Sequence, residues 1–385
     1  MEFKMNSDTF KNMVERISVV TNTKAAFATA WMVKIEAKEN QLILSAWDAE
    51  NSGIITSDNV RIDEEGNAIV AIDDLKKLFS VKGWITVETE DGQALSVRND
   101  KKKSTIRCNV CRWWEQGIPV AAEMENPVMV VDKQELVSTL ANLSKFIGKG
   151  EVVKVLNCYN FSKGRVSTLD SHRIGIRKVD WIKDESLDLN VHGRIYKDIK
   201  KMAGKDDEIV NVFKDNRYAT FSGKDWKYTA EICPEQYYNI DQLFPNNYEC
   251  SFKVDSKEIQ VIAKEYSKLN KGDLSPMIFN YNRGRMLTAW YRSDFQTMDS
   301  LEIFNECGLP ENFTMGFNPT FLFEAVELFN GNVNIQAYQA QKIGTSPWII
   351  SGEDSDYITV ILPVNIGRKQ LTEAEQKFYD SLDAA

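Results

Sequence analysis

Along this chain, apolar residues three and four apart give way repeatedly to strict apolar–polar alternation, a pattern that predicts a few helices set among many strands. Helical spacing appears at Phe10, Met13, Val14 and Ile17, at Leu136, Leu140 and Leu143, and at Ile259, Ile262, Tyr266 and Leu269. Each run follows an extended segment that closes on Asn6, Asp132 or Asp255. An Asx side chain there accepts an orphan amide of the first turn, so three helix starts are expected. Second helices are expected at Asp73–Phe79, Gly193–Met202 and Pro319–Phe329, the last with proline tolerated in its first turn. Leu42, Leu44 and Ala46 alternate as a strand with one buried face, as do Ile85 and Val87 among Thr86, Glu88 and Glu90.

These landmarks repeat. The Asx helix starts recur at offsets of 126 and 123 residues. Leu44–Asp48, Val166–Asp170 and Leu287–Tyr291 recur at 122 and 121, and closing strands reach Cys111, Pro234 and Pro363 at 123 and 129. The expected fold is therefore α+β: three tandem units of two helices and antiparallel sheet, the helices covering one side. Their bounds are 1–122, 123–248 and 249–367, with linkers near Glu115–Pro127 and Pro245–Glu249 and a tail over 368–385. Trp113 and Trp114 are expected to pack in the core or the linker. In the tail, Thr372 with Glu375 makes a capping box, and Phe378 and Leu382 lie four apart. A short amphipathic helix or a frayed end is expected there, the apolar pair folding back onto a pocket or onto a neighbouring subunit.

Composition narrows the classes. With 43% hydrophobic and 27% charged residues, the chain is neither disordered nor low-complexity. No apolar run approaches the roughly 18 residues of a spanning helix, and Met1–Asn6 lacks the apolar core of a secretory signal. Six cysteines in 385 residues make no disulfide framework, so a reducing cytoplasm is expected. Nucleotide-loop, dinucleotide, zincin and nucleophile-elbow motifs are missing, and only His172 and His192 are available for acid–base or metal work. The single CxxC, Cys108 to Cys111, lacks two further zinc ligands and lies in a strand, where positions three apart face opposite ways. Structural cysteines are expected, with no catalytic, metal or cofactor site.

A net charge of −9 excludes a protein that coats nucleic acid with its whole surface, though not a basic stripe on one face. Lys257, Lys264, Lys268 and Lys271 are spaced 7, 4 and 3 apart, which is one helical stripe. Arg194, Lys197, Lys200 and Lys201 form another. Lys133, Lys145 and Lys149 lie on or after the first helix of the second unit, and Lys11, Arg16 and Lys24 on or after that of the first. One such helix is ordinarily a solvated face, but recurrence around a tandem array suits a phosphate backbone. The segment Pro319–Phe329 breaks the rule, carrying Glu324 and Glu327 and no lysine.

The repeats, with Thr168-Leu169-Asp170-Ser171-His172-Arg173-Ile174 and the closing Val360-Ile361-Leu362-Pro363-Val364, resemble the bacterial DNA polymerase III beta subunit, the sliding clamp. The resemblance covers residues 1 to about 366. It implies a non-catalytic processivity factor, a head-to-tail homodimer whose ring encloses double-stranded DNA without regard to sequence, helices lining the hole. It implies a replicative polymerase, a clamp loader and other peptide-bearing proteins as partners, in the cytoplasm at the nucleoid. Lys24, Lys149, Lys154 and Arg194 match positions near DNA. The partner-peptide pocket matches Leu156, Leu169, Asp170, Ser171, His172, Arg173 and Ile174, walled by Tyr238, Gln242 and Leu243 and floored by Val360, Ile361, Leu362, Pro363 and Val364.

The family pattern has Thr and Gly at Leu169 and Ser171, and commonly Pro and Arg at Tyr238 and Gln242, which implies a different peptide preference. The tail 368–385 has no counterpart in that pattern. For ring closure, the strand with Thr105, Ile106 and Cys108 is expected to meet an edge near Ser275–Asn280, beside Tyr266 and Leu269. A diverged, phage- or plasmid-type homologue acting as a protein scaffold with weak DNA affinity is the alternative reading.

Overall fold

The computed structural model describes the chain except residues 91, 109–117, 119–125, 206–207, 245–246, 270–274, 293–294, 312, 340–343, 365, 367–376, 379 and 382–385. Among the described residues the six α-helices are α1 (Ser7–Ile17), α2 (Ile72–Lys77), α3 (Lys133–Leu143), α4 (Ile195–Met202), α5 (Ser256–Leu269) and α6 (Pro319–Val326). Asx residues start α1, α3 and α5 as the sequence predicts. Asn6 accepts the Asp8 amide at 2.8 Å, Asp132 that of Glu135 at 2.9 Å and Asp255 that of Lys257 at 2.7 Å. The second helices are shorter than expected. α2 tightens into a 3-10 turn at Leu78–Ser80, and α4 begins at Ile195 rather than Gly193. None of the described helices is long and apolar enough to cross a membrane.

The chain forms two compact units, Met1–Ala141 with Trp181–Pro234, and Asn142–Asp180 with Glu235–Ala385. In the first, one antiparallel sheet runs in the order 61–64, 2–6, 84–90, 94–98, 103–107. A second runs 129–132, 209–214, 218–222, 226–231, 51–57, 41–47, 32–38, 66–71. Its join pairs Trp226 with Ile55 and Ala230 with Asn51, strands far apart in sequence. Phe10, Met13, Val14 and Ile17 of α1 are buried with Leu42, Leu44 and Ala46. The predicted apolar faces are thus the packed ones.

In the second unit, strands 158–162, 165–169, 173–178, 357–361, 348–352, 332–337, 250–255 and 303–307 follow one another in one antiparallel sheet. A smaller sheet runs 295–301, 285–292, 277–282, 313–317. Its core holds Phe146, Phe252, Ile259, Tyr266, Trp290, Leu322 and Trp348. Two ring-closure expectations are corrected here. The strand Met277–Asn282 has a neighbour on each side, so it offers no edge. Tyr266 is fully buried and donates to Asp299 at 2.6 Å, so it serves its own core, where Leu269 packs partly buried. The edge strands of that sheet are Phe295–Leu301 and Phe313–Phe317.

Thr105, Ile106 and Cys108 lie on or beside the edge strand Lys103–Arg107 of the first unit. Cys111, Trp113, Trp114, the capping box and Leu382 fall outside the described residues, as does most of the first linker. Of the tail, Phe378 folds back onto its own unit, buried on Ile278 and Ala289 with its ring 5.2 Å from that of Tyr291.

Candidate partner-peptide groove and basic helix faces

In the second unit, the segment Leu169–Ile174 is a tight turn between paired strands. Asp170 Oδ1 accepts the amides of His172 at 2.8 Å and Arg173 at 2.7 Å, so one carboxylate sets the bend. The strand that leaves the turn pairs with the closing strand, Arg173 opposite Ile361 and Ile174 opposite Val360. Leu362 extends the ladder by donating to the His172 carbonyl at 2.9 Å, and Val364 donates to Gly316 at 2.7 Å. Sequence stretches about 190 residues apart thereby share one rim.

Leu156 lies on a turn beside the 165–169 strand. Glu235 accepts the Val155 amide at 3.0 Å, which brings in the segment carrying Tyr238, Gln242 and Leu243. The expected peptide residues therefore gather from four stretches of one unit. Their exposure divides them. Leu156, Leu169, Ile174, Val360 and Ile361 are buried, Ile361 completely, and support the site from beneath. Tyr238, Leu243 and Leu362 are the exposed apolar anchors, at 52%, 36% and 39%, with Gln242, Ser171 and His172 exposed and Pro363 and Val364 half-buried. Such a row of apolar anchors rimmed by polar groups fits an apolar side chain of a short peptide. A cleft of about 440 Å³ lies elsewhere, lined by Lys253, Asp255, Lys257, Glu258 and Phe304. It shares no residue with this site.

Arg173 is not a rim residue, as a peptide-contacting position would require. Its side chain is 6% exposed and donates to Asp170 at 3.1 Å, to the Lys145 carbonyl at 2.6 Å and to Glu324. Its guanidinium lies 4.0 Å from the Phe321 ring centroid and 5.4 Å from that of Phe146, and the His172 ring lies 5.7 Å from Phe321. Lys145 pairs with Glu327. The two carboxylates of Pro319–Phe329 that break the lysine rule are thus counter-charges for Arg173 and Lys145.

Asp241, beside the exposed anchors, pairs with Arg165 and, at 2.9 Å, with Lys163. Hydrogen bonds from Arg165 first and Lys163 second pull its carboxyl down to about 2. A carboxyl depressed on folding stabilises the fold above its unfolded value and ceases to as pH falls through the folded one. Asp241→Asn is therefore expected to weaken the fold near neutrality. It should also remove part of the loss of stability that the parent shows between about pH 4 and about pH 2. Thermal melts across that range check this, and identical acid limbs in the two proteins would contradict it.

The structure also sorts the basic residues. Arg16 is buried, bonded twice to Asp225 at 2.6 and 2.7 Å and once to the Met202 carbonyl at 2.7 Å, so it holds the first unit together instead of facing DNA. Arg194 bridges Asp48 and Asp198, the latter at 2.7 Å. Lys133 caps the carbonyls of Gly204 and Lys205 just past α4, at 2.6 and 3.2 Å. Lys145 is spent on Glu327, and Lys11 is half-buried with Glu15 at 3.6 Å. Lys24, Lys149, Lys154, Lys197, Lys200, Lys201, Lys264 and Lys268 remain exposed, while Lys271 lies outside the described residues. On α4 the split is clean: Ile195, Asp198, Ile199 and Met202 face inward, and Lys197, Lys200 and Lys201 outward.

No family model matches the chain. A beta sliding clamp of Staphylococcus epidermidis is 22% identical over 385 residues, covering 94% of this chain and 99% of that protein. A DNA polymerase III beta subunit from Eubacterium rectale superposes with a TM-score of 0.84 at 20% identity, covering 95% of this chain and all of that one. The sliding clamp of Bacillus subtilis gives 0.84 at 14% identity, covering 94% and 99%. The fold is that of the sliding clamps. The similarity to beta sliding clamps runs along nearly the whole length, in sequence as in fold.

Proposed function

We propose that this chain is a processivity clamp of a DNA polymerase III-type replicase: two copies joined head to tail form a ring around duplex DNA and hold a polymerase to its template. The observation that carries this reading is the match of sequence and fold over nearly the entire chain. Residues 1–122, 123–248 and 249–367 are its three repeats, so two chains supply six to the ring. Closure brings the edge strand Lys103–Arg107 of one chain against the edge strand Phe295–Leu301 of the other. A contact repeated head to tail closes after two copies and covers both of these edges. The clamp needs no catalytic group, because a ring raises the effective concentration of whatever it tethers. Polymerase, clamp loader and other partners present a short peptide to the groove at Tyr238, Leu243 and Leu362.

The exposed lysines serve the hole, meeting phosphates and reading no bases. The scaffold alternative rests on the altered pocket and on the missing lysines of Pro319–Phe329, where Glu324 and Glu327 are occupied by Arg173 and Lys145. Changing Lys197, Lys200 and Lys201 together to alanine is expected to weaken duplex binding equally for all sequences. The slope of log affinity against log salt should become shallower by about 0.9 for each lysine that meets a phosphate. An unchanged slope would remove α4 from the DNA-facing surface.

A further inference from the structure

From Arg16 to Ile35, twenty consecutive residues include no carboxylate, in a chain whose net charge is −9. The loop at the centre of this stretch is tied shut: Asn22 donates to the Ala30 carbonyl at 2.6 Å, and Ala25 to that of Asn22 at 3.0 Å. It holds up two aromatic side chains, Phe27 at 42% and Trp31 at 36% exposure. The Trp31 indole N–H donates to the Phe27 carbonyl at 3.1 Å, so the ring's one polar atom is satisfied inside the loop and the exposed remainder is carbon. Lys24 is exposed in the same loop. The segment leading into it lies against α4, where Lys201 donates to Ser18 at 3.3 Å and Arg194 to the Val19 carbonyl at 2.6 Å.

Exposed aromatics beside the exposed Lys24, in a run of sequence without a carboxylate, fit a ligand with flat apolar faces and regularly spaced negative charge. An unpaired nucleic-acid strand has both, and base stacking on aromatics is indifferent to sequence. A duplex keeps its bases stacked on one another and offers chiefly phosphates. The loop after α3 is a natural contrast. It exposes Val152 at 95% and Val153 at 42% between Lys149 and Lys154. It has the charge without a ring to stack on.

We propose that Phe27 and Trp31 form a stacking step for unpaired bases, so that the protein takes single-stranded DNA at this loop in addition to duplex. The test is fluorescence anisotropy of the full-length protein with a labelled oligothymidylate and with a duplex of equal length. Phe27→Ala with Trp31→Ala is expected to weaken oligothymidylate binding at least about tenfold while changing duplex binding less than about twofold. Trp31→Phe, which keeps a ring, should retain most of the affinity, and Val152→Ala with Val153→Ala should leave both ligands unaffected. Circular dichroism melts confirm that each variant is folded. Oligothymidylate affinity unchanged in the double alanine variant would overturn the proposal and assign the aromatic pair to a protein partner. Equal loss on both DNA forms, or the same loss from the valine variant, would overturn it too.

Discussion

Replacing Arg173 with alanine is expected to cost the second unit about 3–5 kcal/mol, the loss typical when one member of a buried ion pair is removed. Three partners are stranded together: the carboxylates of Asp170 and Glu324 and the Lys145 carbonyl. The same guanidinium lies over Phe321 and Phe146, so packing is lost along with charge. In a unit of this size the melting temperature should fall by about 10 °C. Arg173→Lys should recover only part of this, because an ammonium cannot fork between two carboxylates and a carbonyl. Adding Glu324→Gln to the alanine variant should recover more, by removing an unpaired charge. The groove is expected to fail with the fold, since Asp170 would lose an internal partner just where it sets the turn carrying His172. Peptide affinity unchanged in a variant whose melting point had fallen would separate the groove from Arg173 and contradict this account.

Arg194→Met should do comparable damage in the first unit, again about 3–5 kcal/mol. Burial disfavours the Arg194 charge, yet Asp198 and Asp48 outweigh it and hold the guanidinium protonated above its usual range. Asp198 is itself buried, which raises its carboxyl pKa against the opposing pull of Arg194, and it accepts the Tyr228 hydroxyl at 2.8 Å. Burial, then the Asp198 charge, push that hydroxyl well above the ordinary tyrosine range. Without Arg194 two carboxylates share a buried site with nothing to balance them.

The sign of the pH response follows. A carboxyl whose folded pKa lies above its unfolded value favours the fold when protonated, and that contribution is lost as pH rises through the folded value. The Arg194→Met protein should therefore gain stability, relative to its parent, as pH falls from neutrality toward the ordinary carboxylate range. Adding Asp198→Asn should return much of the loss and flatten that response. Melting curves of the three proteins decide it, and a pH-independent deficit would contradict the charge argument.

The helix faces could be read from the chain because their signals are local. Phe10, Met13, Val14 and Ile17 are buried as their spacing demands, and Asn6, Asp132 and Asp255 cap where an Asx before an apolar run should. The groove residues are expected from the sequence because two short segments carry the family resemblance. Which cations stay free could not be read, since their partners are remote. Arg16 meets Asp225 across 209 residues, Lys145 meets Glu327 across 182, and Arg173 meets Glu324 across 151. Nothing local distinguishes Arg194, consumed by Asp48, from Lys197 three residues on, which is exposed. The expected edge near Ser275–Asn280 fails for a related reason. Ser275–Asn280 reads as a strand, but only its partners at 285–292 and 313–317 reveal that it is internal.

The clamp mechanism is topological, and retention on DNA tests it most directly. The protein is loaded onto a nicked circular plasmid with a clamp loader and ATP, passed over a sizing column, and measured again after the plasmid is cut once. A closed ring stays with the circle through salt that abolishes simple phosphate contacts, and slides off the ends when the circle is opened. Equal retention on circular and linear DNA, or loss from both as salt rises, would mean that the protein binds DNA without enclosing it and would contradict the clamp account.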